Sequence, residues 1–193
     1  MINKNKLLRA VKTYSLTAAI ALSVGGAMLP TTVSADSGMD DLKKVLQSQI
    51  DMMKPELQSK VKDLSTDTKM SIMAILAMHS RVSDEATLRQ VMLEVLSDYQ
   101  TMSMGIMTDS AEMTADAARR LANHRIPVGG LLPYLGLENI NDGKLAVLES
   151  FNDSVEGNAI KLAEAADKGN MGEAAALLGQ ISSGCVGCHA VFR

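Results

Sequence analysis

Two cysteines and a histidine late in the chain have the residue types and spacing for joint covalent and metal chemistry: Cys185-Val186-Gly187-Cys188-His189. On a helix, positions i, i+3 and i+4 share one face, so two thiols and an imidazole there address the same flat ligand. Cys-x-x-Cys-His is the attachment pattern of c-type haem. Each thiol forms a thioether with one haem vinyl group, and the adjacent imidazole binds the iron. The expectation is one haem c held covalently through Cys185 and Cys188, with His189 as the proximal iron ligand. The chain contains no other cysteine.

Other chemistries fit these residue types less well. A redox dithiol wants the strand-helix context of thioredoxin-like proteins, and the residues around Cys185 read as helical. A closed zinc site needs four ligands, for which only His79 and His124 are present besides His189. A disulfide between cysteines one turn apart on a regular helix has poor geometry.

The elements that must position these groups read as helices throughout, with no period-two alternation. From Met39 to Met53 the residues Leu42, Val45, Leu46, Ile50 and Met53 fall at helical spacing, and Pro55 then kinks that helix or opens a new one. A weaker stripe follows through Leu57, Val61 and Leu64. Ser65-Thr66-Asp67 supplies N-cap chemistry for a helix over Met70 to His79. Ser83-Asp84-Glu85 marks the start of the next, running to about Met107 with a heptad seam through Leu88, Met92, Val95, Tyr99, Met102 and Ile106. Asp109-Ser110 breaks it and caps a helix over Ala111 to His124. An irregular connection from Ile126 to Gly143 precedes a single helix over Lys144 to Asp167, seamed by Leu145, Leu148, Asn152, Val155, Ala159, Leu162 and Ala166. After Gly169-Asn170 the last helix carries Met171, Ala174, Leu178, Ile181, Cys185, Cys188 and Phe192 on its seam, which puts both thiols on the buried side. The pattern predicts an all-α chain, an antiparallel four-helix bundle with extra N-terminal helices and a haem inside it.

The first 35 residues read as a secretory signal peptide. Lys4, Lys6, Arg9 and Lys12 form a positive n-region, Leu16 to Leu29 is a short apolar run, and Val33-Ser34-Ala35 fits a cleavage site. The protein is therefore expected in the periplasm, with no membrane span after signal removal, because no later segment reads as longer or free of charge. The whole chain has 19 basic and 22 acidic residues. The signal takes four of the basic ones and no acidic one, which leaves the mature chain at 15 against 22, a formal −7. Nucleic acid is a poor partner for such a protein, whereas a basic redox partner is compatible with it.

A Cys-x-x-Cys-His motif on the last helix of a bundle, with an arginine four residues after the histidine, resembles the cytochrome c-prime family. Cys185, Cys188, His189, Phe192 and Arg193 carry the likeness, preceded by Ala174-Ala175-Ala176-Leu177-Leu178-Gly179 and matched at the other end by Arg89-Gln90 with Leu93. It covers Asp84 to Arg193, so residues 83–193 are expected to form the haem-bearing bundle and 36–82 an N-terminal helical extension without counterpart in short family members. The resemblance implies an antiparallel four-helix bundle, often a homodimer, with a proximal imidazole from His189. It also implies a distal residue four positions after Arg89. That residue is Leu93, whose alkyl group cannot ligate iron, with Met92 beside it as the alternative sixth ligand.

Met70, Met73 and Met78 also offer thioethers, although methionines at helical spacing are ordinarily core filler. His79 and His124 each end a helix, where a cation suits the negative end of the dipole; a bis-histidine haem or a second metal site are the alternatives. Arg193 is placed to bond a haem propionate or a bound ligand. The expected function is one-electron transfer through the haem iron to redox partner proteins, without catalytic residues. The rivals are a gas-binding protein that takes nitric oxide or carbon monoxide on a vacant distal face, and a structural or sensory subunit.

Overall fold

The computed structural model describes residues 35–193, with side chains from Asp40 onward. The export signal expected over residues 1–35 lies outside the described residues, except for Ala35, the first residue of α1. Among the described residues all regular structure is helical, apart from one isolated bridge between Val82 and Ile126.

Three helices come first: α1 (Ala35–Asp51), α2 (Pro55–Lys62) and α3 (Thr66–Ala77). Pro55 opens α2 at its first position, where its missing N–H would have had no helical partner and its fixed φ already suits a helix. Ser65 caps α3, its hydroxyl accepting from the Thr68 N–H at 3.2 Å. A carboxylate from far along the chain reinforces that cap. Asp142 accepts from the Ser65 N–H at 3.0 Å and the Thr68 hydroxyl at 2.6 Å.

The bond from Thr68, followed by that from Ser65, holds the Asp142 carboxyl below its ordinary value of 3.8. A depressed carboxyl favours the folded state above the unfolded pKa, and that advantage is lost as pH falls through the folded one. Asp142→Ala is therefore expected to lower the urea midpoint at pH 7 relative to wild type. The difference should shrink as the pH falls from about 4 through the depressed folded value. A gap that persists unchanged at pH 2 would show that the carboxylate charge is irrelevant to the clamp.

The long helix α4 (Leu88–Met107) begins one turn later than its expected start. Ser83 caps only a preceding turn, accepting from the Ala86 N–H at 2.9 Å. Thr87 and Gln90 form the reciprocal capping box that starts the helix. α5 (Ala111–Ala122) follows after a tight reversal at Asp109, whose φ is 54°. Gly105 has no room for a side chain, because a Cβ there would meet the Thr114 hydroxyl.

The expected single helix over Lys144–Asp167 is divided. It comprises α6 (Asp142–Leu145), α7 (Leu148–Asn152), a π turn over Asp153–Gly157, and α8 (Asn158–Asp167). The division follows from two cores that one straight seam cannot serve. Leu145 and Leu148 join Met53, Leu57, Val61, Leu64, Leu132, Leu135 and Ile140, which bury the N-terminal helices against the 126–148 connection. Ala159, Leu162 and Ala166 join Met102, Leu121, Ala174 and Ile181 in the other core. The wider i→i+5 turn between them re-aims the buried face.

The last helix, α9 (Met171–Phe192), packs on α8 and α4, and α5 packs on α4 and α8. By length and composition α9 is also long and apolar enough to cross a membrane, being free of charged residues from Ala174 to Phe192. This corrects the expectation that no segment after the signal has that character. Ala174, Leu177, Ile181 and Gly184 are buried against the neighbouring helices, whereas most of the apolar stretch is not.

Candidate functional site

Cys185 and Cys188 lie in the last two turns of α9, both as free thiols and both half-buried. At about 100° per residue, Cys185, Cys188 and His189 fall within an arc of about 100° on the helix surface. Cys185 packs against the core of Ile181, Leu162 and Met102, whereas the His189 ring is exposed. Two glycines let this part of α9 lie close on the chain before α8. A Cβ on Gly184 would come within 2.6 Å of Ser154 Oγ and 2.8 Å of Val155 Cγ2, and one on Gly187 within 3.0 Å of Phe151 Cε1. Phe151 meets Phe192 edge-on at 6.5 Å between ring centroids. Arg193 is exposed and donates its backbone N–H to the His189 carbonyl at 3.2 Å.

Burial pushes both thiols above their ordinary pKa. The charge of Glu156 adds to the shift at Cys185, and those of Cys185 and Glu156 add to it at Cys188. The pair also sits near the negative C-terminal end of a 22-residue helix. Redox dithiols have the opposite setting, with the nucleophilic thiol at a helix N-terminus and its pKa lowered. Nor do the cysteines belong to a metal-holding group of three His, Cys, Asp or Glu side chains; among the described residues that group is His79, His124 and Glu156.

The residues named for the distal side are spread over α4. Leu93 is 57% exposed and lines an open groove with Gln90, Glu94 and Arg125, a groove to which Cys185, Cys188 and His189 contribute nothing. It lies two residues past the fully buried Val91, about 200° round the helix. Met92 is half-buried and Arg89 exposed. Of the other methionines, Met73 is core, Met70 is exposed, and Met78 places its sulfur 3.8 Å from Asn152 Nδ2.

His79 and His124 do more than end helices. Their rings meet with centroids 4.6 Å apart, and His124 Nε2 lies 3.2 Å from Glu156 Oε1. Burial lowers the pKa of His79. At His124 burial pulls downward too, but the bond to Glu156, the bond to the Arg125 carbonyl and the Glu156 charge together outweigh it, so the net shift is upward. Sequence reasoning missed Glu156. It sits beside Val155 in what reads as an unbroken heptad helix, and nothing in that pattern reveals a π turn.

No protein-family model, curated protein or solved structure matches this chain.

Proposed function

We propose that the chain is an exported c-type cytochrome resembling the cytochrome c-prime family, in which α4, α5, α8 and α9 form an antiparallel four-helix bundle. One observation carries the reading: two free thiols and a neighbouring imidazole share one face of α9 in its last turns. That donor set fits a covalently attached haem. Cys185 and Cys188 would each hold a vinyl carbon as a thioether, and the exposed His189 ring would ligate the iron. Gly184 and Gly187, next to the two cysteines, let the helix lie against the side chains of Phe151, Ser154 and Val155. Bound there, haem supplies a one-electron Fe(III)/Fe(II) couple. The raised thiol pKa values and the helix-end setting leave the redox-dithiol alternative without support.

In this reading the protein residues bind, enclose and orient rather than react. The apolar seam of Ile181, Leu178 and Val155 beside Cys185 keeps water from one side of the site. Arg89, Leu93 and Met92 remain the proposed distal group, with Met92 the more enclosed of the last two. Electrons pass to and from redox partner proteins, in the periplasm if residues 1–35 act as the export signal.

The test is a potentiometric titration of full-length protein matured in a host that attaches haem. A single reversible one-electron transition in the visible spectrum is expected. A spectrum that does not cycle, or a reduced form that is trapped by carbon monoxide and fails to reduce any partner, contradicts the carrier reading.

A further inference from the structure

Where the end of α3, the end of α5 and the π turn meet, three groups point acceptor atoms at one another. His79 Nδ1 lies 2.9 Å from the Ile75 carbonyl oxygen and His124 Nδ1 lies 2.8 Å from the Arg125 carbonyl oxygen. A carbonyl only accepts, so each Nδ1 carries a proton and each neutral ring presents a bare Nε2. His124 Nε2 faces Glu156 Oε1 at 3.2 Å. His79, only 6% exposed, leaves its Nε2 buried without a partner, as is Glu156 Oε2. One ligand atom from each of the three residues lies within 4.8 Å of the others.

Buried acceptors facing one another are unfavourable unless a donor or a cation sits between them. A proton on His124 resolves only part of the conflict. It pairs His124 with Glu156 Oε1 and leaves His79 Nε2 and Glu156 Oε2 unmatched. A metal ion would satisfy both rings and the carboxylate together.

We propose that His79, His124 and Glu156 bind a divalent transition-metal ion of the zinc class, at a site separate from Cys185, Cys188 and His189. Two imidazoles and a carboxylate are the donor set of open zinc sites, in which water takes the fourth position. Ligands about 2.0–2.1 Å from a tetrahedral zinc lie about 3.3 Å from one another, close to the separation already present between His124 and Glu156. The Nδ1–H bonds to the Ile75 and Arg125 carbonyls are the second-shell contacts that orient metal-binding imidazoles. Glu156 stands on a π turn, a local widening of the helix found often at functional sites. The ion would pin α3 of the N-terminal extension to α5 and to the turn before α8.

The experiment uses the full haem-loaded chain, dialysed against a chelator and titrated with zinc ions in competition with a chromophoric chelator. Wild type is expected to bind one equivalent, and His79→Gln and Glu156→Gln each to weaken binding at least tenfold with helicity unchanged and, for His79→Gln, the visible spectrum unchanged as well. Zinc should also raise the unfolding temperature of wild type but not of His124→Ala, as binding to the native state alone requires. Zinc-edge X-ray absorption should show nitrogen and oxygen neighbours only. The proposal is overturned by an absence of zinc binding, by variants that bind as wild type does, or by sulfur in the zinc shell. It is equally overturned if His79→Gln leaves zinc binding intact and changes the spin state of the haem iron, which would place that imidazole on the iron.

Discussion

A Cys185→Ser, Cys188→Ser variant, matured beside wild type in the same host, is expected to carry no haem that survives denaturing solvent. Each single variant should keep a haem held by one thioether. The expectation follows from the chemistry of the site, where the two thiols are free, share one helix face and are the only cysteines in the chain. A serine hydroxyl has nearly the size of a thiol but does not form the thioether, so the change tests bonding more than packing. Haem staining of a denaturing gel reads the result. Covalent haem persisting in the double variant would place the attachment on other residues, and its absence from wild type as well would remove the cytochrome reading.

Ile181→Ala is expected to destabilise the protein by about 2–5 kcal/mol. Ile181 has 0% exposure and lies one turn before Cys185, packed in the core that includes Leu162, Leu121 and Met102. Truncating it removes apolar burial and leaves a cavity that the neighbouring alanines on α5 and α8 are too small to fill. Urea denaturation of wild type and variant measures the loss. A cost under about 1 kcal/mol would mean that the core collapses around the gap or that α9 is not held there. Such a result would weaken the placement of the thiols as well, because the same stretch of helix aims them.

The helices were legible in the sequence wherever one face packs against one neighbour. α4, α5 and α9 fall where apolar spacing and caps put them, within a turn at their ends. The Lys144–Asp167 stretch reads as one helix but is divided, for a physical reason. Its heptad seam is real, but the upper part packs against the N-terminal helices and the lower part against α5 and α9, and the π turn that reconciles them has no residue signature. The thiol pair and imidazole could be read from spacing alone because one helix carries all three. The meeting of His79, His124 and Glu156 could not, since it joins three separate elements through contacts 32 and more residues apart in the chain.

The intact mass of wild-type protein under denaturing conditions, after maturation in a host that attaches haem, tests the central claim most directly. The expected mass is that of the processed polypeptide plus one haem, with no population of bare chain in coloured fractions. A mass equal to the polypeptide alone, from colourless protein, would contradict it.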